Sequence, residues 1–171
     1  MYLKEFKIQL LENSRISDKV RDKIIHLKQE YWDYPYESHL KWMEENIRED
    51  EYHLIITDSM DEVIAYLNIV NVSLTLNNSG EEVMGVGNVC VKKSYSGQGI
   101  GRLLMGISNY YINSFGKRGI LLCKQPLINF YEKCGWMKYE GEVFLKDKKY
   151  DGAVMFTEYL NIPKISIERE F

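Results

Sequence analysis

The sequence has little cysteine, no excess of basic residues and no long apolar run, and each shortage excludes a class of protein. The three cysteines, Cys90, Cys123 and Cys134, show no CxxC or Cys/His ligand spacing, so no zinc site is expected. They lie inside apolar segments, and buried reduced thiols indicate a cytoplasmic protein. No run approaches the ~20 apolar residues of a membrane span. A net charge of −3 offers no basic footprint for nucleic acid.

The amino-terminal stretch and the chain length set the expected organisation. Residues Met1–Lys7 alternate and carry charges, which predicts a strand and argues against a signal peptide. With 171 residues, 45% of them hydrophobic, the chain is long enough for one domain with a core. We therefore expect a single domain over residues 1–171, with no assignment for the tail from about residue 162.

The hydrophobic pattern predicts alternating segments of helix and strand. Apolar residues at helical spacing predict four helices: from Ser17 to Tyr31, from Tyr36 to Ile47, from Ile100 to Gly116, and from Pro126 to Gly135. Ser17 is the expected amino-terminal cap of the first helix. Alternating or continuous apolar runs predict strands over residues 3–10, 51–57, 63–72, 82–91, 119–123, 136–140 and 153–160. The strands of residues 51–91 follow one another as an antiparallel meander.

A glycine-rich turn follows this meander and leads directly into a helix. Gly97, Gly99 and Gly101 leave the backbone uncovered where the helix begins. Because helix amino termini carry unpaired N–H groups and partial positive charge, the turn predicts a phosphate or pyrophosphate site. Gly85 and Gly87, inside the preceding strand, indicate a bulge or a close approach of another group.

Two common phosphate-binding motifs do not fit the turn. A Walker loop needs GxxxxGK followed by Ser or Thr, and no such run exists. A dinucleotide fingerprint needs GxGxxG, which would place its third glycine at Arg102.

Two segments of the chain resemble motifs of the GNAT N-acetyltransferase superfamily. The run Ser96-Gly97-Gln98-Gly99-Ile100-Gly101 is similar to the family signature Q/R-x-x-G-x-G/A and departs from it at Ser96. The run Asn129–Trp136 is similar to the family's FYEKxGF/W element. The order of helices and strands also matches the family. The resemblance implies an α/β (α+β) fold with a mixed, mostly antiparallel sheet of six to seven strands and about four helices.

The resemblance further implies binding of acetyl-coenzyme A as co-substrate, without a metal. Its pyrophosphate is then held by backbone amides of the turn, namely those of Ser96, Gly97, Gln98, Gly99, Ile100, Gly101 and Arg102. Its pantetheine arm pairs with the strand end at Val89, Cys90 and Val91, where a strand amide can also stabilise the thioester oxygen. Gln125 and Asn129 are further implied contacts with the coenzyme.

Tyr131 matches the family tyrosine that protonates the departing thiolate. A phenol with a pKa near ~10 suits a thiol whose pKa is near ~8.5. A general base is also needed, since amines are protonated at neutral pH. Glu81 and Glu82 are the candidates at the start of the strand, with Asp33 and Glu37 as alternatives.

Cysteine and histidine are assigned no catalytic role. Cys90 and Cys123 have no adjacent basic partner that would favour a covalent acyl-enzyme. The three histidines show no pairing in the sequence and are expected at the surface or at edges: His26, His39 and His53.

The break between the first two helices is expected to line the acceptor site. It carries an aromatic and acidic set: Tyr31, Trp32, Asp33, Tyr34, Tyr36 and Glu37. Aromatic faces beside carboxylates favour a cation, such as a polyamine or an aminoglycoside, while an aromatic packing corner is the alternative.

Taken together, the motifs predict direct acetyl transfer from acetyl-coenzyme A to the primary amine of a small molecule. A non-catalytic acyl-coenzyme A sensor and a protein lysine or amino-terminal acetyltransferase remain as alternatives. Oligomeric state is left open, with a homodimer among the options.

Overall fold

The computed structural model describes residues 5–171, which form two compact units. The first unit extends to Val70 and includes Asn88–Met105, and the second unit comprises Asn71–Gly87 and Gly106–Phe171. Of the predicted first strand, residues 3 and 4 lie outside the described residues. The single-domain organisation stays a prediction.

The described residues contain four α-helices and ten strands. The helices are α1 Asp18–Gln29, α2 Tyr36–Asn46, α3 Ile100–Ser114 and α4 Ile128–Glu132. The strands are β1 Lys7–Glu12, β2 Tyr52–Thr57, β3 Val63–Leu76, β4 Ser79–Val91, β5 Gly119–Cys123, β6 Met137–Lys138, β7 Glu142–Leu145, β8 Lys148–Lys149, β9 Ala153–Phe156 and β10 Lys164–Ile167.

The first unit packs α1 and α2 on an antiparallel set of strands. β1 pairs with β2, and β2 pairs with the first half of β3. Ser17 caps α1 as predicted, because its side chain accepts a hydrogen bond from the Val20 amide. The apolar faces of the helices and strands meet in one cluster of buried residues: Ile16, Ile24, Ile25, Leu27, Met43, Ile47, Ile55, Val63, Tyr66 and Cys90. Each large aliphatic side chain buried there contributes about 1.5–3 kcal/mol.

The second unit combines parallel and antiparallel strands. β4 runs parallel to β5, and β5, β9 and β6 pair antiparallel in that order. β10 pairs antiparallel with the last residues of β3 and parallel with β7. Asn77 and Asn78, both with positive φ, form the turn between β3 and β4.

The structure confirms the mixed, mostly antiparallel strand pattern and the four helices, but it has more strands than the six to seven expected. β7, β8 and β10 were not predicted. They are two to four residues long, which is too short for an alternation of apolar and polar residues to be recognised. β10 is held by partners distant in sequence, since Ile165 pairs with Leu76.

Among the helices of residues 5–171, none combines the length and apolar character that a membrane crossing requires.

Candidate active site

The turn between β4 and α3 has the geometry of an anion cradle. Gly97 and Gly99 adopt φ values of +75° and +81°, and a Cβ at either position would meet no atom within 4 Å. The Leu103 amide donates to the Gly99 carbonyl at 3.0 Å, which closes the first helical turn. The amides of residues 99–102 therefore precede the first bonded donor of the helix and are open to a ligand.

The charges at the start of α3 also favour an anion. The first helical turn contains no acidic residue, and it contains the exposed Arg102. A cation at this end of a helix opposes the helix dipole, so a bound anion would relieve the repulsion.

Ser96 and Gln98 of the turn donate hydrogen bonds to carbonyls of the residues just before it. The Ser96 amide donates to the Lys93 carbonyl at 3.1 Å, and its side chain is exposed. The Gln98 side chain donates to the Ser94 carbonyl at 3.0 Å. Backbone amides, more than these side chains, therefore form the cradle.

The sequence offered a bulge or a close approach of another group at Gly85 and Gly87, and the residue of β4 with positive φ is Asn88. Asn88 has a φ of 53°, and its side-chain nitrogen donates to the side-chain oxygen Oδ1 of Asn68 at 2.7 Å. Asn68 is fully buried. At Gly85 the structure shows the close approach of another group, because a Cβ at Gly85 would lie 2.8 Å from the Phe171 ring.

Hydrogen bonds join the residues just after α1 to the end of β4. The Tyr31 hydroxyl donates to the Val91 carbonyl, and the Lys93 amide donates to the Glu30 carboxylate at 2.8 Å. Val89 and Val91 are half-buried. Cys90, between them, faces the core cluster.

The residues predicted for the acceptor wall divide between packing and surface positions. Trp32 packs against the core cluster, and the Tyr36 hydroxyl donates to the Asp22 carboxylate. Tyr34 is 61% exposed. Asp33 and Glu37 are exposed as well.

The prediction of surface or edge positions is wrong for His39 and His53. His39 is buried, and its ring contacts the Trp32 carbonyl at 3.1 Å. His53 is fully buried between Tyr66 and Asn13, at 2.9 Å from each partner atom. Burial lowers the pKa of His53 to about 4, so its ring is neutral at pH 7.

Cys90 and Cys123 lack the features of nucleophiles. Burial raises the pKa of Cys90 to about 12 and that of Cys123 to about 11. Both thiols are therefore protonated at neutral pH. Within the described part of the chain, no three His, Cys, Asp or Glu side chains are grouped as metal ligands.

The second unit holds the candidate acid and both candidate bases. Tyr131 lies on α4 with 6% of its surface exposed, and the Trp136 amide donates to its carbonyl at 3.1 Å. Arg118 contacts the Glu81 carboxylate at 2.9 Å and the Glu158 carboxylate at 2.6 Å.

The other predicted residues of the second unit lie at its surface. Glu82 is exposed and accepts a hydrogen bond from the Ser73 hydroxyl. Gln125 is exposed just before α4, and Asn129 is exposed in its first turn.

Sequence reasoning missed Lys28, which is only 2% exposed. Its ammonium lies 4.4 Å from the centre of the Trp42 ring. The signal was present in the sequence, because Lys28 follows Ile24 and Ile25 on the apolar face of the predicted helix.

The mixed sheet and the glycine turn at the start of α3 are the arrangement of the N-acetyltransferase fold class. The chain belongs to the acetyltransferase (GNAT) family, whose family model matches residues 21–136.

Solved structures of the same class share the fold. YhbS from Escherichia coli, in complex with CoA, has a TM-score of 0.67 at 16% identity, over 98% of this chain and 92% of that chain. Escherichia coli ElaA has a TM-score of 0.66 at 19% identity, over 90% of this chain and 100% of that chain. Glucosamine-6-phosphate N-acetyltransferase from Arabidopsis thaliana has a TM-score of 0.60 at 23% identity, over 80% of this chain and 94% of that chain.

Proposed function

We propose that this chain transfers the acetyl group of acetyl-coenzyme A directly to a primary amine of a small molecule. The observation that carries the proposal is the open start of α3, where the amides of residues 99–102 precede the first helical hydrogen bond. A diphosphate fits such a cradle without a metal. The CoA complex of YhbS, a protein of the same fold, supports the choice of ligand.

The chain contributes binding surfaces at two places in the first unit. The amides of residues 99–102 bind the pyrophosphate, and Arg102 adds a positive charge beside it. Residues 89–91 pair with the amide-rich pantetheine arm, as an added strand does at a sheet edge. Acetyl-coenzyme A supplies the activated acetyl group.

Proton transfer is assigned to the second unit. The family motif around Tyr131 makes its phenol our proposed acid for the departing thiolate. Of the two candidate bases we favour Glu82, because Arg118 holds the Glu81 carboxylate in an ion pair.

A small-molecule acceptor is our choice over a protein chain because of the segment between α1 and α2. Tyr31, Asp33 and Tyr34 are exposed there, and aromatic faces beside a carboxylate suit a compact cation.

The test is release of free thiol from acetyl-coenzyme A in the presence of a panel of small amines and of peptides. We expect thiol release with at least one small amine and a matching acetylated product by mass spectrometry. Tight binding of coenzyme A without thiol release above background would instead establish a sensor. Release with peptides alone would establish a protein-modifying enzyme.

A further inference from the structure

Asn88 has a strained backbone inside a strand. Within residues 5–171, six residues other than glycine have a positive φ, and Asn88, with a φ of 53°, is the one that lies in a strand. The other five lie in the connections before β3, between β3 and β4, and between β7 and β8. An L residue in this conformation costs free energy and persists only where the surrounding structure holds it. The strain at Asn88 therefore calls for a group that maintains it.

The side chain that holds Asn88 is Asn68, on the neighbouring strand β3. Its oxygen Oδ1 accepts a hydrogen bond from the Asn88 side-chain nitrogen at 2.7 Å. Asn68 is fully buried, and its own nitrogen Nδ2 has no hydrogen-bond partner among the described residues. A buried donor without a partner costs free energy. Because an apolar residue would fill this position without that cost, the bond to Asn88 is what an asparagine adds here.

The positive φ changes the path of β4 at the point where the strand becomes accessible. The register of β4 with β5 extends to Val86, and β4 is buried as far as Gly87, whereas Asn88 and Val89 are half-buried. A left-handed residue inside a strand turns the peptide groups on its two sides out of their regular alternation and disrupts the ladder locally. The Val89 amide follows Asn88 directly, so its direction is set by the Asn88 conformation.

The proposed reaction needs a hydrogen-bond donor at this end of β4. When the amine nitrogen bonds to the thioester carbon, an electron pair of the carbonyl group moves onto its oxygen. The negative charge stays on that oxygen until the carbon–sulfur bond breaks and the thiolate leaves. A backbone N–H aimed at the oxygen lowers the barrier, and loss of one such donor typically costs about 10²–10³-fold in kcat. Because the charge develops only during the reaction, such a donor affects kcat more than it affects binding of the coenzyme.

We propose that Asn68 is a positioning residue for acetyl transfer: its hydrogen bond with Asn88 keeps β4 in the left-handed bend that aims the Val89 amide at the thioester oxygen. This inference rests on the proposed function. Asn68 does not itself touch the coenzyme, because its side chain is fully enclosed. It acts through Asn88, and the pyrophosphate cradle of residues 99–102 does not depend on it.

The first experiment removes the acceptor that holds Asn88. Asn68→Leu replaces the amide by an apolar group of similar size, and it should lower kcat at least about tenfold while the Kd of coenzyme A, measured by calorimetry, changes less than about twofold. Asn68→Ala should act in the same direction, which excludes a clash of the leucine branches as the cause. Thr57→Val is the matched control and should keep kcat. Thr57 is likewise a buried side chain of the first unit with a polar atom, Oγ1, that has no partner within the described part of the chain.

A pair of substitutions at Asn88 separates the backbone conformation from the side chain. Both Asn88→Gly and Asn88→Ala remove the bond to Asn68, but glycine adopts a positive φ readily and alanine does not. We therefore expect Asn88→Gly to retain at least about ten times the kcat of Asn88→Ala. Asn68→Leu added to Asn88→Gly should lower kcat further by less than about twofold, since the bend no longer depends on Asn68.

Two results of these comparisons would overturn the positioning role. One is an equal kcat for Asn88→Gly and Asn88→Ala, which would mean that the bend is irrelevant to the rate. The other is the same loss from Asn68→Leu in both backgrounds, which would mean that Asn68 acts by a route other than Asn88. If Asn68→Leu does not fold, Asn68→Ala replaces it in the second comparison, and the pair at the half-buried Asn88 stays decisive.

A spectroscopic measurement separates this inference from the proposed function. In protein labelled with ¹⁵N-valine, acetyl-coenzyme A should shift the Val89 amide signal further than coenzyme A does, and Asn68→Leu should abolish this difference. If the difference appears and depends on Asn68 while no amine releases thiol, the proposed function fails and the positioning of the Val89 amide stands. If thiol is released with a kcat that Asn68→Leu and Asn68→Ala leave unchanged, the positioning role is overturned while acetyl transfer stands.

Discussion

Two tyrosines of the second unit, Tyr131 and Tyr139, are equally buried but have different surroundings. Each is 6% exposed. The Tyr139 hydroxyl donates to the Ile162 carbonyl at 2.8 Å and so fixes the tail that leads into β10. Tyr131 occupies the tyrosine position of the family motif. The pair therefore allows a proton-transfer role to be distinguished from the loss of a buried hydroxyl.

Tyr131→Phe should lower kcat by roughly 10²-fold, because a positioned general acid contributes about 10²–10⁴-fold to the rate. Tyr139→Phe should leave kcat nearly unchanged and lower the free energy of unfolding by about 1 kcal/mol, through loss of one hydrogen bond. Thiol-release kinetics and urea denaturation of both variants measure these effects. Equal kcat values for Tyr131→Phe and the unmodified protein would remove the assigned acid.

At the residue scale, the sequence predicted features that depend only on neighbouring residues along the chain. Ser17 was predicted as a helix cap, and it caps α1, because capping depends only on the following three residues. Burial of His53 and Lys28 depends on which strands and helices cover them, so neither was anticipated. A single sequence carries little information about such coverage.

At the element scale, α3 offers a matched pair of glycines. Gly99 precedes the helix with a φ of +81°, and Gly116 ends it with a φ of +65°. A Cβ at either position would meet no atom within 4 Å. Alanine at either site therefore introduces similar backbone strain, about 1–2 kcal/mol, without a clash.

Gly99→Ala should raise KM for acetyl-coenzyme A at least about tenfold, which corresponds to a loss of about 1.4 kcal/mol of binding. The added methyl group and the distorted backbone both disturb the amide cradle. Gly116→Ala should show a similar loss of stability and an unchanged KM. Initial rates over a range of acetyl-coenzyme A concentrations, together with thermal denaturation, make the comparison. A parallel rise of KM in both variants would mean that strain alone, and not the cradle, accounts for the effect.

The elements that position the candidate site were largely predictable, and the carboxyl-terminal elements were not. The β4–turn–α3 segment is specified by its own glycines and apolar period, so its bounds could be predicted from its own residues. β10 exists because Ile165 pairs with Leu76 on one side and Val143 on the other. Such pairing between distant segments leaves no period in a four-residue strand.

At the scale of the whole molecule, buried neutral histidines make stability depend on pH. His53 is fully buried, and its two ring nitrogens contact the Tyr66 hydroxyl and the Asn13 side-chain oxygen. The Asn13 oxygen only accepts, so Nε2 carries the proton and Nδ1 accepts from Tyr66. Protonation of Nδ1 would break this arrangement and place an uncompensated charge in the core.

We expect the free energy of unfolding to fall as the pH is lowered from 6.5 to 4. In this window the unfolded chain takes up a proton at His53 that the folded chain does not, because the folded pKa is about 4 against an ordinary 6.5. The destabilisation is complete below pH 4, absent above pH 6.5, and at most about 3.4 kcal/mol at 1.36 kcal/mol per pKa unit. Urea midpoints at pH 4.5 and pH 7 measure it. His53→Gln should flatten the dependence, while His26→Gln, at an exposed position, should not. An unchanged slope in His53→Gln would assign the acid sensitivity to other groups.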